Sequence, residues 1–315
     1  MAQSVPGVQS LNSHSFANGT ADAATVGHIV QALDIIHNRT STNETRLQAL
    51  QYLESQKRDK TAVQNGYFLA AEKSNSPLVR HFGLSLLEHV LKHQSASLSP
   101  TEAGHIRGLV LELAQQIQPG DPSYIRNKIV SLWVEIAKRT WGLDWIGMDE
   151  TLVQLWNGSL LHKDFVLSVL ETLSEDIIHH EDTVSSLRGT DLNRALVEVC
   201  TPFAVYKVMY PEREHHPIEL RYGEEGWLFR ASSLLNDCVQ NIQTSGLAKA
   251  CAIKALATLR STMAWAIPHA ISWSQCVPTI LSALNCQDED ILMVRMVSSL
   301  IPHTKDLTDA RIRRR

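Results

Sequence analysis

Apolar and polar positions follow a helical period along most of this chain. From about Thr25 onward, apolar residues recur three or four positions apart, and the strict alternation that is typical of a half-buried strand is almost absent. The clearest segment is residues 77–93, where an apolar stripe that includes Val79, Leu86 and Leu91 is opposed by charged and polar side chains. The pattern therefore predicts an all-helical protein.

Short breaks divide this pattern into thirteen predicted helices. The breaks contain turn-forming residues, as at Pro119–Gly120 and Asn157–Gly158. Only the connection at residues 209–226 is long enough to be an extended loop. The predicted helices span residues 25–37, 41–57, 60–74, 77–93, 100–118, 122–139, 148–156, 161–180, 187–209, 224–243, 247–264, 268–284 and 288–301.

Consecutive pairs of predicted helices give a repeat of about 40 residues, which is typical of HEAT or armadillo solenoids. A generic all-helical domain is the alternative. The regular spacing, the many long helices and the apolar last helix favour the solenoid, because that helix resembles a surface that a further repeat would cover. We predict an all-α, HEAT-like solenoid of antiparallel helix pairs over residues 23–303, a disordered tail at residues 1–22 and a basic tail at residues 304–315.

Composition excludes several classes of protein. The formal net charge of −4, from 29 basic and 33 acidic residues, argues against a chain that coats nucleic acid. Five cysteines without a CxxC pair argue against a zinc ribbon or a disulfide framework and favour a reducing compartment. No run approaches the roughly 20 consecutive apolar residues of a membrane-spanning helix. We therefore predict a soluble protein with no membrane partner.

Candidate chemistry is sparse. Neither a GxSxG nucleophile motif nor a phosphate-binding glycine motif occurs. His89 and His93 lie one helical turn apart but lack a third ligand, and the run at residues 179–182 lies at a helix end, where histidines interact with terminal carbonyls. His215 and His216 make an equally weak case for a metal site. We predict no enzyme activity, no catalytic residue, no cofactor and no metal.

One charged segment stands out between Asp144 and Asp182. It contains nine acidic residues and a single basic residue, Lys163. A solvated acidic face is the ordinary interpretation of such a segment. In a scaffold, the same charge would also attract a basic protein partner.

Three segments resemble one family of nuclear transport proteins. Residues 79–92 (VRHFGLSLLEHVLK) are similar to the second-repeat helix of the exportin-5 family of karyopherin-β receptors. Residues 129–145 (IVSLWVEIAKRTWGLDW) and 170–177 (LETLSEDI) resemble the third- and fourth-repeat helices of that family. The segments occur in the family's order over about residues 25–180. The chain thus resembles the N-terminal region of an exportin.

The resemblance implies a receptor that binds the GTP form of the small GTPase Ran through the inner helices of its first repeats. It also implies nuclear export of a phosphoprotein or structured RNA cargo, contact with nucleoporins, and shuttling between nucleus and cytoplasm. A HEAT scaffold that assembles a cytosolic complex without nucleotide-dependent binding is the alternative. The resemblance places the inner helices at residues 41–57, 77–93, 122–139 and 161–180. Their polar faces and the acidic segment give the predicted Ran contacts, each of which could equally be plain solvated surface: Glu44, Gln48, Gln51, His81, Ser85, Glu88, Lys128, Ser131, Glu135, Glu171, Glu175 and Asp176.

Overall fold

A computed structural model of the chain describes residues 22–179, 183–211, 220–286 and 288–292. Within these ranges the chain is helical, and the only β-type contact is an isolated bridge between Trp141 and Trp145. The α-helices are α1 (Ala23–His37), α2 (Asn43–Gln56), α3 (Ala62–Ala71), α4 (Pro77–His93), α5 (Pro100–Gln115), α6 (Ser123–Thr140), α7 (Met148–Trp156), α8 (Leu160–His179), α9 (Thr183–Cys200), α10 (Phe203–Met209), α11 (Trp227–Val239), α12 (Gly246–Met263), α13 (Pro268–Trp273) and α14 (Cys276–Leu284). A 3₁₀ turn, Ser95–Ser97, joins α4 to α5.

Capping residues fix the starts of several helices. The Ser76 hydroxyl accepts a hydrogen bond at the start of α4, and Pro77 occupies the first helical turn, where a missing N–H costs nothing. Ser99 and Glu102 form a reciprocal capping box at the start of α5. These residues explain why the predicted starts of both helices are confirmed.

The structure divides two helices that the sequence pattern predicted as single. The predicted helix 187–209 is the two helices α9 and α10, because Pro202 lacks an N–H and biases Thr201 away from helical geometry. The predicted helix 268–284 is α13 and α14, which are separated where Gln275 adopts a left-handed φ of 54°. Apolar periodicity continues through both breaks, so it could not reveal them.

Neighbouring helices pack as antiparallel pairs. Helix α1 packs on α2, α3 on α4, α5 on α6, α7 on α8, and α11 on α12. The second helices of four pairs, α4, α6, α8 and α12, lie side by side in that order and are called the helix row below. Helix α9 packs against α6, α8 and α11. Each pair thus contacts mainly its neighbours, and the predicted HEAT-like solenoid is confirmed.

The core runs between the pairs as a continuous apolar layer. Trp133, Trp141 and Trp145 are all buried in it, and the ring centroid of Trp133 lies 5.3 Å from that of Trp145 and 5.8 Å from that of Phe165. These tryptophans therefore serve as packing residues of the core. A smaller apolar cluster joins α1 and α2 to α3 and α4.

Some earlier predictions fall outside the described residues. These are the tail predicted at residues 1–22, apart from Asp22, most of the predicted helix 288–301 and the tail at residues 304–315. Among the helices that the structure describes, none has both the length and the apolar character needed to cross a membrane.

Two glycines bring α3 and α4 into close contact. A Cβ atom on Gly83 would lie 2.5 Å from the carbonyl oxygen of Gly66 and 2.8 Å from the backbone nitrogen of Ala70. A Cβ atom on Gly66 would in turn lie 2.8 Å from the carbonyl oxygen of Gly83. Because the obstructing atoms belong to the backbone, no side-chain rotation can make room. The packing of this pair therefore requires glycine at both positions.

We expect Gly83→Ala to lower the free energy of unfolding by about 1–3 kcal/mol, because the added methyl group forces the two helices apart. Gly108→Ala is the matched control, since Gly108 is an exposed helical glycine with no atom within 4 Å of the added Cβ. There the same change should raise stability by about 0.5–1 kcal/mol. Urea unfolding followed by circular dichroism measures both, and equal effects would contradict the packing argument.

Candidate partner-binding face

The predicted Ran contacts divide into two groups in the structure. Nine of them lie on α4, α6 and α8, which are adjacent members of the helix row. The other three, Glu44, Gln48 and Gln51, lie on α2. Helix α2 packs mainly on α1, and its carboxyl end meets the end of α4 through a hydrogen bond of 3.3 Å from Gln94 Nε2 to the carbonyl oxygen of Lys57. The row and α2 therefore form neighbouring surfaces.

The predicted residues on α2 are exposed. Two leucines accompany them on the same helix, with 56% of Leu47 and 47% of Leu50 accessible to solvent. These five residues, Glu44, Leu47, Gln48, Leu50 and Gln51, are called the α2 face below. Apolar side chains of this size are usually covered, so the α2 face combines accessible apolar area with hydrogen-bonding groups.

Between α4 and α6, the predicted residues contact one another. The ammonium group of Lys128 donates a hydrogen bond to the carboxylate of Glu88, which also pairs with Lys92 at 3.1 Å. Burial opposes ionisation of Glu88, but the hydrogen bonds from both lysines outweigh it and lower the pKa of this carboxyl group. The ring of His81 meets Tyr124 edge-on at 5.7 Å. These side chains hold the two helices together.

Between α6 and α8, the central group is a buried ammonium. Only 1% of the Lys138 side chain is exposed, and its Nζ lies 2.9 Å from Glu135 Oε1 and 2.8 Å from Asp176 Oδ2. The guanidinium of Arg139 binds the other oxygen of Glu135 at 2.5 Å. Glu135 and Asp176 are thus the counter-ions of an internal cation. Sequence reasoning missed Lys138, since a lysine in the last turn of a helix is usually at the surface.

Between α8 and α12, charged and neutral contacts combine. Lys254 Nζ lies 2.9 Å from Glu171 Oε2, and the Thr258 hydroxyl donates to the carbonyl oxygen of Leu167 at 3.1 Å. Glu175 and Arg260 are 4.0 Å apart. Glu171 and Glu175 of α8 therefore face cations of α12.

The acidic segment is not an isolated acidic face among the described residues. Residues 144–182 contain a single basic residue, but cations from other parts of the chain lie beside this segment in the folded protein. Three of the carboxylates pair with cations of α6 and α12, outside that segment. Those pairs are Glu171–Lys254, Glu175–Arg260 and Asp176–Lys138.

Asp149 is a second internal charge that sequence reasoning did not single out as a structural group. It is 3% exposed, and it accepts hydrogen bonds from the Trp227 Nε1–H at 2.5 Å and from the Tyr222 backbone N–H at 2.6 Å. Burial raises its pKa to about 6, although both hydrogen bonds oppose that rise. The contact fixes the start of α11 against α7. No local pattern could have revealed it, because the partners lie more than seventy positions away.

The histidine candidates do not form a metal site within the described residues. The rings of His89 and His93 lie 4.7 Å apart, but no group of three or more potential ligands gathers anywhere in the part of the chain that the structure describes. Residues 180–182 and 215–216 lie outside it.

Comparison with known proteins shows similarity to nuclear export receptors. A family described as exportin 1-like proteins matches residues 122–201, which include α6, α7, α8 and α9. The chain is 27% identical to Protein MSN5 of Saccharomyces cerevisiae over 278 residues, covering 84% of this chain and 22% of that protein. It is 29% identical to Exportin-5 of Mus musculus over 176 residues, covering 54% of this chain and 14% of that protein. The chain is similar to proteins of the exportin-5 family.

The region that matches the exportin 1-like family contains the buried charged residues described above. Residues 122–201 include Lys138 with both of its carboxylate partners and also Asp149. Exportin-5 of Dictyostelium discoideum is 29% identical over 173 residues, covering 55% of this chain and 15% of that protein. The chain spans about a fifth of the length of MSN5. The resemblance to the exportin-5 family that the three sequence segments indicated is confirmed.

For Lys138, we expect replacement by methionine to lower the free energy of unfolding by about 3–5 kcal/mol. The substitution removes the cation that Asp176 pairs with and leaves Glu135 paired with Arg139 alone. Lys57→Met is the matched control, because the ion pair of Lys57 with Glu54 lies at the exposed end of α2 and such surface pairs contribute at most about 1 kcal/mol. Chemical denaturation measures both. A small loss for Lys138→Met would contradict the counter-ion assignment.

For Asp149, the raised pKa predicts a specific pH dependence. The folded protein holds this proton up to about pH 6, whereas an unfolded Asp releases it near about pH 4. The contribution of Asp149 to stability therefore decreases as the pH rises from about 4 to about 6 and is constant above that range. We expect the stability difference between the wild type and Asp149→Asn to shrink over this interval. A difference that is independent of pH would show that the carboxyl group has an ordinary pKa.

Proposed function

We propose that this chain is part of a nuclear export receptor that binds the GTP form of Ran and takes part in the export of protein or RNA cargo. The observation that carries the proposal is the match to proteins named exportin-5 over more than half of the chain. The solenoid supports it, because stacked helix pairs present long surfaces suited to macromolecular partners. Binding, not catalysis, is then the mechanism.

The α2 face is the part of the predicted Ran contact that is best suited to contribute affinity. Its polar side chains are exposed, and Leu47 and Leu50 offer apolar area that a partner could bury. By contrast, the carboxylates of Glu88, Glu171 and Asp176 already have partners inside the protein. A partner that binds them must first break those ion pairs, so their net contribution is smaller.

The transport cycle follows from linkage. If Ran–GTP and cargo both favour the same arrangement of the solenoid, each raises the affinity of the other, and GTP hydrolysis releases both. The cargo would be a phosphoprotein or a structured RNA. Contacts with nucleoporins and shuttling between nucleus and cytoplasm complete this proposal.

We expect the combined substitution Leu47→Ser and Leu50→Ser to weaken binding of Ran–GTP by about tenfold or more, because burying a leucine side chain contributes about 1.5–3 kcal/mol and a tenfold change in affinity corresponds to about 1.4 kcal/mol. The measurement is titration calorimetry with Ran loaded with a non-hydrolysable GTP analogue or with GDP. Wild-type chain should bind the GTP form more tightly.

Leu187→Ser is the matched control, because Leu187 on α9 is 81% exposed and lies outside the α2 face. It should leave the affinity unchanged. An equal loss of affinity for this control would show that the α2 face makes no specific contribution to Ran binding. Equal affinity for the two nucleotide forms would instead favour a scaffold without nucleotide-dependent binding.

A further inference from the structure

The turn between α2 and α3 carries a short run of basic residues. Three of the four residues before Thr61 are basic, more than in any other window of four within the described part of the chain. These three residues, Lys57, Arg58 and Lys60, are called the basic run below. Lys57 pairs with Glu54 of α2, whereas Arg58 and Lys60 enter none of the ion pairs between described residues. The turn therefore presents excess positive charge.

Thr61 follows the basic run and has an accessible hydroxyl group. Residues 58–61 are all exposed, and they lie between α2 and α3, outside both helices. The Thr61 hydroxyl donates a hydrogen bond to Asp59 Oδ1 at 2.6 Å and accepts one from Asn65 Nδ2 at 2.9 Å. Because these contacts are local, an enzyme can reach the hydroxyl without separating α3 from α4.

The surroundings of the turn favour an added negative charge. The carboxyl end of α4 lies beside the turn, through the hydrogen bond from Gln94 to the carbonyl oxygen of Lys57. His89 and His93 lie near this end of α4, with ring centroids 4.7 Å apart. Burial lowers the pKa of His89, and the positive charges of His93 and of the first two residues of the basic run lower it further. A phosphate group in this position would meet a positive field.

Thr42 offers a comparison at the start of α2. It is also exposed and outside a helix, and Arg39 lies three positions before it, as Arg58 does before Thr61. However, Arg39 is the single basic residue among the four that precede Thr42. Thr42 thus shares the exposure of Thr61 and lacks the basic run.

We propose that Thr61 is a phosphorylation site for a protein kinase whose peptide-binding groove is acidic. The basic run pairs with carboxylates of that groove, because charge complementarity selects the substrate. In the transfer, Thr61 Oγ1 forms a bond to the γ-phosphorus of ATP, and the bond from that phosphorus to the β–γ bridging oxygen breaks. ADP leaves, and a carboxylate of the kinase accepts the hydroxyl proton.

Phosphorylation changes the turn as well as its charge. The modified side chain has lost the hydrogen that Asp59 accepts, and a phosphate group with a charge of about −2 repels that carboxylate. The phosphate instead attracts the basic run and is favoured by its position at the start of α3. The modification therefore places negative charge at the end of α2, the helix that carries the α2 face.

The test uses the full chain, ATP and the catalytic subunit of cyclic-AMP-dependent protein kinase, which selects basic sequences. Mass spectrometry of the digested product locates the phosphate group. We expect phosphate on Thr61 and none on Thr42, and Thr61→Val should remove it. Casein kinase 2, which selects acidic sequences, should leave Thr61 unmodified.

We expect Arg58→Gln to lower kcat/KM for phosphorylation of Thr61 by about tenfold or more, because a hydrogen bond between charged groups contributes at least that factor. Arg39→Gln is the matched control, since it removes an exposed arginine three positions before Thr42. It should leave the rate at Thr61 unchanged. Circular dichroism checks that both variants fold.

A peptide of residues 56–66, in which Thr61 is the only serine or threonine, separates the effect of sequence from that of structure. Phosphorylation of the peptide but not of the folded chain would overturn the proposal, because a kinase could not reach the turn. Failure of both substrates would overturn it as well. So would equal phosphorylation of Thr42 and Thr61, or an Arg58→Gln rate equal to that of the wild type.

The same mapping applies to the chain produced in yeast cells and purified with phosphatase inhibitors. We expect phosphate on Thr61 there too. Its complete absence would overturn the assignment of Thr61 as a site that cellular kinases use.

Discussion

Every helix of the row must bury surface against two neighbours at once, and the rest of the structure depends on this constraint. A helix of a globular bundle can leave its outer side polar, but α6 packs against α4 on one side and α8 on the other, and also against α5. Its inward-facing surface is correspondingly broad and includes Trp133 and Lys138. Charged groups at these contacts require partners of opposite charge, because water is excluded there. The ion pairs of the row follow from that requirement.

The same requirement changes the meaning of polar residues on these helices. Glu135 and Asp176 look like surface charges in the sequence, yet both serve as counter-ions for Lys138. The α2 face differs because α2 has fewer neighbours to satisfy, so its polar and apolar side chains stay accessible. A polar residue is accessible to a partner when it is exposed, whatever its type. A polar residue of the same type that pairs with another residue inside the protein is not.

Local information was sufficient for most of the fold. Apolar periodicity and capping residues such as Ser76 and Ser99 predicted the helices and several of their starts. The break at Gln275 escaped prediction because its left-handed conformation has no signature in the sequence. Pro202 did offer a signal, but the apolar pattern that continues across it concealed the break. Pairings between distant residues, such as Lys128 with Glu88, could not be predicted, because they depend on the register between stacked helices.

The bond between Asp149 and Trp227 has a consequence for biosynthesis. The two residues are 78 positions apart, so a ribosome that adds about 5–20 residues per second makes Trp227 about 4–16 s after Asp149. During that interval the carboxylate lacks its indole partner and is most stable in contact with water, which keeps the surface of α7 from closing. The fourth helix pair therefore reaches its final packing only after the first turn of α11 has left the exit tunnel. A nascent chain that stops between α8 and α11 would present an unfinished apolar surface to the chaperones that attend translation.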